Sequence, residues 1–198
     1  MLQDLTAALR PAVVLTLLFA VLLGLVYPAA VTVIGQGLFP AAANGSLLTA
    51  HGRLIGSSLI GQPFTGPEWF HPRPSAAGKG YDATASSGSN LGPASQALAD
   101  RVKGDLAALR TSPGRPVPPD LVTTSASGLD PHISPEAAFF QAPRVAAARR
   151  LPVSTVRELV AAHLEGPWLG LLGEPRVNVL ELNLALDRAS AGGSARHP

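Results

Sequence analysis

An uninterrupted apolar stretch lies near the N-terminus, and short apolar runs alternate with polar, glycine-rich and proline-rich segments after it. Asp4 and Arg10 are the only residues with a formal charge before Arg53. Residues 12–34 would form a helix about 35 Å long, compared with a bilayer hydrocarbon core of about 30 Å. The pattern therefore predicts a single transmembrane helix over residues 11–35.

A cleaved signal peptide is the competing interpretation of this stretch. The apolar run is longer than a signal peptide requires, and it continues past Ala29-Ala30, where Pro28 disfavours cleavage. We therefore expect a retained membrane anchor. Arg10 precedes the span and no further basic residue follows until Arg53, so the bias in Lys and Arg places residues 1–10 in the cytoplasm. We then expect residues 36–198 to lie outside.

Hydrophobic periodicity after the span predicts one mixed α+β domain over residues 36–189, with a disordered tail over 190–198. The segment 47–93 is typical of short strands and turns, and 121–127 has the composition of a strand. Leucines and a valine at helical spacing predict a helix over 93–110. The fold class is α+β, with one membrane helix followed by one extracytoplasmic domain.

Capping signals predict two further helices and leave one segment open. Ser134 and Pro135 are typical of the N-cap and first position of a helix, and Ser154 is the predicted N-cap of a helix over 154–164. Residues 176–189 are compatible with a strand followed by a helix or with one continuous helix, because their periodicity does not separate the two.

Composition excludes several classes of chemistry. The chain has no cysteine, which excludes disulfides, thiolate metal sites and cysteine nucleophiles. Its net charge is only +2 and its basic residues are scattered, so nucleic acid is not an expected partner. No spacing typical of a serine hydrolase, a P-loop or a histidine metal site occurs, and we expect no metal and no catalytic residue.

In the segment GLDPHISP, residues 128–135, an acid and an imidazole adjoin a glycine turn. As a site, Asp130 would orient His132 as a base. Their side chains are expected to point apart around Pro131, and no nucleophile is tied to them. We interpret the segment as a turn, in which Gly128 takes a positive φ.

Small residues or proline recur at every fourth position of the predicted span. They are Thr16, Ala20, Gly24, Pro28 and Thr32. Four residues advance a helix by about 400°, so these positions share one slowly drifting face. Helices in lipid associate through close packing, which small residues allow. This small-residue stripe (the five residues named above) is predicted to dock against a helix of a larger partner, with a kink at Pro28.

Long motifs in a fixed order resemble one known family. They are LRPAVVLTLLFAVLLGLVYP, NGSL, GSSLIGQPFTGPEWFHPRPSAAGKGYDATASSGSNLGP, DLVTTSASGLDPHISPEAAFFQAPRVAAARRL and VNVLELNLALD. Together they are similar to the C subunit of the Kdp-type, high-affinity potassium-transporting P-type ATPase of bacteria. The resemblance covers nearly all of the chain except the tail and the linker at 111–119.

The resemblance implies a noncatalytic accessory subunit of an ATP-driven potassium uptake pump in the bacterial inner (plasma) membrane. Its implied partners are a potassium-selecting multi-span subunit, an ATP-hydrolysing P-type subunit and a small single-span subunit, besides membrane lipid. The implied role is assembly and stability of the complex, with a proposed action as a catalytic chaperone that raises the ATP affinity of the hydrolysing subunit. The chain itself lacks the Asp-Lys-Thr-Gly phosphorylation loop of P-type ATPases.

The family's proposed nucleotide contact is a Ser-Gly-Gly-Ser-Asn loop. The matching residues are Ser86, Ser87, Gly88, Ser89 and Asn90, so serine replaces the first glycine. The resemblance thus implies ATP as a ligand, whereas the predicted outer location places this loop away from ATP and favours an indirect effect through the catalytic subunit. The alternative function is a membrane-anchored extracytoplasmic binding module or hydrolase unrelated to a pump.

Overall fold

The computed structural model describes residues 2–50, 52–109 and 116–194, which divide into an N-terminal unit up to Leu47 and a domain from Leu48 onward. The N-terminal unit is helical. It comprises α1 (Leu2–Val21), a π-helical turn (Leu22–Val26), α2 (Tyr27–Leu38) and the short α3 (Pro40–Ala43).

The stretch Thr6–Leu38 is long and apolar enough to cross a membrane, and none of its most apolar part is buried within the protein. Helical backbone runs from Leu2 through the π-helical turn to Leu38, beyond the predicted 11–35 at both ends. It stops where Phe39, directly before Pro40, leaves the helical region. The described residues thus contain one apolar candidate span near the N-terminus, in agreement with the predicted single membrane helix.

The described residues of the domain form a two-stranded and a three-stranded sheet together with four α-helices. Its elements are β1 (Leu47–Ala50), β2 (Arg53–Ser57), α4 (Gln96–Leu109), β3 (His132–Ile133), α5 (Pro135–Arg149), α6 (Val153–Ala162), β4 (Leu164–Glu165), β5 (Arg176–Asn178) and α7 (Val179–Ser194). Strands β1 and β2 pair with each other, and β5 lies between β3 and β4, antiparallel to both. The mixed α+β class is confirmed.

The core lies where α5, α6 and α7 pack against one another and against β5. Small residues such as Ala138 and Ala142 line the buried face of α5, which allows the valines of α6 and the leucines of α7 to approach closely. Helix α5 begins as predicted, because the Ser134 hydroxyl accepts a hydrogen bond from the Ala137 N–H at 3.0 Å.

Three local predictions were wrong. The cap of α6 is Pro152, and Ser154 lies inside the helix, because Pro152 sets the extended backbone from which the helix starts. Residues 121–127 form the end of a 3₁₀ helix followed by turns, because their backbone groups form hydrogen bonds within these turns and to the loop at Ser87. Helix α7 continues to Ser194, so residues 190–194 of the predicted disordered tail are helical, and 195–198 lie outside the described residues. Residues 176–189 form the strand followed by a helix.

The long segment 58–95 contains no helix or strand up to the start of α4, and buried amides hold it in place. The Asn183 amide accepts from the Phe70 N–H at 2.9 Å and donates to the Phe70 carbonyl at 3.0 Å. Gln141 makes the same pair of bonds with the backbone of His71, at 2.8 and 2.9 Å. These bonds replace a sheet ladder for backbone groups that would otherwise be buried without partners.

Candidate functional site

Two irregular segments, 73–90 and 123–133, meet around Gly128. The Ser75 hydroxyl donates to the Gly128 carbonyl at 2.6 Å and accepts from the Tyr81 N–H at 2.8 Å. Gly128 has φ 67°, as predicted, and a Cβ atom there would lie 2.7 Å from the Ala77 nitrogen and 2.8 Å from the Ser87 carbonyl oxygen. Glycine is thus required both by the conformation and by the close approach of the two segments.

Asp130 is the charged centre of this loop cluster. One carboxylate oxygen lies 3.1 Å from Arg73 Nη1, and the other accepts from the His132 N–H at 3.0 Å. Burial is the largest influence and opposes ionisation, but the hydrogen bonds from His132 and the charge of Arg73 together outweigh it. The pKa of Asp130 is therefore lowered from its ordinary value of 3.8.

The expectation that Asp130 and His132 point apart was wrong. The His132 Nδ1 atom lies 3.6 Å from the same Asp130 oxygen that caps the His132 N–H, because this short Asx-type turn folds the carboxylate back over the following backbone. A nearby serine, Ser134, is occupied elsewhere: its hydroxyl donates to Asp120 at 3.1 Å while capping α5. The arrangement is that of a braced turn leading into β3 and α5.

Sequence reasoning missed two members of the cluster, Arg73 and Tyr81. The Tyr81 hydroxyl donates to the Arg73 carbonyl, and burial, followed by the charge of Asp130, raises the pKa of Tyr81. The hydroxyl therefore stays protonated as a donor. Both residues lie within a quoted motif, but no spacing rule connects them with Asp130, which is 57 residues beyond Arg73.

The predicted nucleotide loop, residues 86–90, packs against the turn at 125–128. The Ser86 hydroxyl donates to the Ser127 carbonyl at 2.9 Å, and the Ser87 N–H donates to the same carbonyl at 3.1 Å. The Ser87 hydroxyl donates to the Gly88 carbonyl at 3.0 Å, and Asn90 takes φ 52°. Ser89 is half-buried. Two hydroxyls and one N–H of the loop are thus engaged by the protein's own carbonyls.

The small-residue stripe lies on the membrane helix, and three of its members line a shallow groove. Thr16, Ala20 and Gly24 form the floor of this groove, and larger side chains, including Phe19 and Leu23, flank it. A Cβ atom added at Gly24 would meet nothing within 4 Å. The face is therefore open to a neighbour.

The π-helical turn at Leu22–Val26 changes the course of the stripe. The Tyr27 N–H donates to the Leu22 carbonyl, five residues back, directly before Pro28, which has no N–H to donate. A π turn contains more residues than an α turn, so four residues rotate through a smaller angle there. This partly cancels the drift of about 40° per step that an α-helix would impose on the stripe.

Comparison with known proteins gives one consistent family. A family model described as "KdpC: K+-transporting ATPase, c chain" matches residues 9–188. A Methylorubrum extorquens protein named potassium-transporting ATPase KdpC subunit is 60% identical over 191 residues, covering 90% of this chain and 95% of the relative. Proteins of the same name from Koribacter versatilis and Caulobacter vibrioides are 57% and 60% identical, covering 88% and 90% of this chain and 91% and 92% of the relatives.

Proposed function

The chain belongs to the KdpC family of potassium-transporting ATPase c chains, and from this we propose that it is a noncatalytic accessory subunit that assembles and stabilises an ATP-driven potassium pump. The match over residues 9–188 carries the proposal, because it includes both the membrane helix and the domain. Family membership favours a pump subunit over a free-standing binding module or hydrolase.

One membrane helix is too little to form an ion pathway, which supports a noncatalytic role for this chain. A single span does not enclose a path for an ion, which needs several helices or a closed barrel to shield it from lipid. The described residues contain one candidate span. Potassium selection and ATP hydrolysis then belong to partner subunits, namely a multi-span subunit and a P-type ATPase subunit, together with a small single-span subunit.

We further propose that any effect on ATP affinity is indirect. The hydroxyls of Ser86 and Ser87 already donate to backbone carbonyls of the domain, so a phosphate would have to displace these bonds. The bias in basic residues around Arg10 supports an outer location of the domain, opposite to cytoplasmic ATP. The domain then acts as a catalytic chaperone through contacts with the pump, and its inner-membrane anchor keeps it at that surface.

We propose that the small-residue stripe is one such contact. A helix of a larger subunit would pack against the stripe, which consists of Thr16, Ala20, Gly24, Pro28 and Thr32. The two helices would come closest at the open groove beside Gly24. The carbonyls freed by the absent Pro28 N–H would lie beside this approach.

The test is the ATPase activity of the pump in membranes with and without this chain. Cells producing the other subunits but lacking the chain should yield little intact complex and little potassium-stimulated ATP hydrolysis, and restoring the chain should restore both. The purified chain alone should not hydrolyse ATP. A fully assembled, fully active complex without the chain would overturn the proposal.

A further inference from the structure

The hairpin tip between β4 and β5, residues 166–173 (GPWLGLLG), presents four strongly exposed large apolar side chains, three of which are the most exposed in the described part of the domain. Trp168, Leu169, Leu171 and Leu172 are 68%, 75%, 86% and 60% exposed. Eight consecutive residues carry no charge. A contiguous cluster of one indole and three leucines on a small domain is a binding surface rather than ordinary scattered exposure.

Four backbone N–H groups of the tip donate to carbonyls within the tip itself. Trp168 and Leu172 exchange bonds in both directions, at 2.8 and 3.0 Å, and the N–H groups of Leu171 and Gly170 donate to the carbonyls of Trp168 and Pro167. Leu169 and Gly170 both have positive φ, 52° and 73°. Two successive positive φ values are typical of a type I′ turn over residues 168–171, and Leu171 is one extra residue before the closing pair of Trp168 and Leu172. A leucine thus occupies a turn position that usually holds asparagine or glycine.

From these observations we propose that the hairpin tip inserts into the headgroup boundary of the bilayer to which the chain is anchored. The strained turn holds leucines at its apex, and the N–H groups of residues 168 and 170–172 already have partners within the hairpin. Pairing of these four N–H groups within the hairpin lowers the cost of moving the tip into an apolar medium. Trp168, at the base, has the amphipathic side chain that favours the interface.

The anchor makes this surface accessible without any partner. Helix α2 ends at Leu38 and β1 begins at Leu47, so nine steps of chain, at most about 30 Å long, connect the bilayer to the domain. The bilayer is therefore always within a short distance, at a high effective concentration. Insertion of the tip is a contact separate from pump assembly, and it requires neither orientation of the chain in particular.

The charges around the tip predict which lipids it accepts. At its base, Arg176 is paired with Glu165 at 2.8 Å, and Glu174 adds a further acidic side chain. No uncompensated basic residue adjoins the tip, so insertion does not depend on anionic headgroups. Zwitterionic phosphatidylcholine is thus a sufficient target, and salt should have little effect.

The test uses the two tryptophans of the full chain as matched probes. The full chain is reconstituted into phosphatidylcholine vesicles that contain lipid brominated near the headgroup end of the acyl chains. Trp69→Phe leaves Trp168 as the only indole, and Trp168→Phe leaves Trp69, which stacks on Arg149 at 4.2 Å within the domain. Trp168 fluorescence should be blue-shifted and strongly quenched by the brominated lipid, and Trp69 fluorescence should not.

A second pair of variants separates insertion from misfolding. Leu171→Asp in the Trp69→Phe background should reduce quenching to the level of Trp69, because the side chain is almost fully exposed and contributes little to folding. Val153→Asp, an exposed apolar position at the start of α6, should leave quenching unchanged, since aspartate is favourable at a helix N-terminus.

Two outcomes would overturn the proposal. If brominated lipid does not quench Trp168 and acrylamide has full access to it, the tip stays in water. If Trp168 becomes shielded only when partner subunits are added, and lipid still does not quench it, the tip is a protein interface instead. Co-purification of the pump subunits is measured on the same variants, so failure of the insertion is distinguished from failure of the assembly role.

Discussion

A few residues that each meet two structural requirements at once hold the irregular part of the domain together. Gly128 combines a positive φ with backbone atoms of a second segment within 3 Å of where its Cβ would be. Asp130 neutralises Arg73 and at the same time caps the backbone of His132. Such residues fix how the segments 73–90 and 123–133 meet, which positions the predicted nucleotide loop.

Replacing Gly128 with alanine should destabilise the domain more than the same change at Gly52. Both glycines lie near the left-handed α region, with φ 67° and 74°, so both variants carry strain of about 1–2 kcal/mol. At Gly52 a Cβ meets nothing within 4 Å, whereas at Gly128 it meets Ala77 and Ser87. The extra overpacking should cost Gly128→Ala about 1–3 kcal/mol more. Denaturant unfolding of the full chain in detergent, followed by tryptophan fluorescence, measures the free energy of unfolding of both variants. An equal loss of stability in the two would mean that the segments around Gly128 move apart at little cost and would contradict the prediction.

Elements with a local signal were predictable, and elements held by distant partners were not. The helix beginning at Ser134 and the apolar span follow from caps and hydropathy within one segment. The path of residues 58–95 depends on amides 70 and 113 residues away in sequence, at Gln141 and Asn183, which no periodicity shows. The π turn before Pro28 also has no reliable sequence pattern, although it governs where the small-residue stripe runs.

At the level of the membrane helix, Gly24→Leu should weaken docking while insertion stays intact. Leucine is favourable in hydrocarbon, and the site is open in the isolated chain, so only a close partner helix would be displaced. Overpacking of that contact should cost about 1–3 kcal/mol. Co-purification of tagged partner subunits in mild detergent should therefore fall about tenfold.

Ala30→Leu is the matched control for this substitution. Ala30 is two residues from both Pro28 and Thr32, which is about 200° around the helix, so the same bulk points away from the stripe. Leu23, beside the stripe, lines the groove and is a poorer control. Equal recovery of partners with both leucine variants would leave the domain as the docking surface.

The molecule as a whole is a membrane helix joined by a short linker to an α+β domain whose family belongs to a potassium pump. If the domain lies outside the cell, it acts on the pump through protein contacts and not by holding cytoplasmic nucleotide. The side of the membrane on which the domain lies is therefore central to the proposed function, and the charge pattern around Arg10 predicts the outer side.

Labelling of one exposed position in intact cells tests this most directly. The chain has no cysteine, so Ala97→Cys, on the exposed surface of α4, provides a single reactive site without the positive φ found at Asn90. We predict that a membrane-impermeant maleimide added to whole cells labels this cysteine as fully as it does after permeabilisation. Labelling that occurs only after permeabilisation would contradict the outer location and would support direct contact of residues 86–90 with ATP.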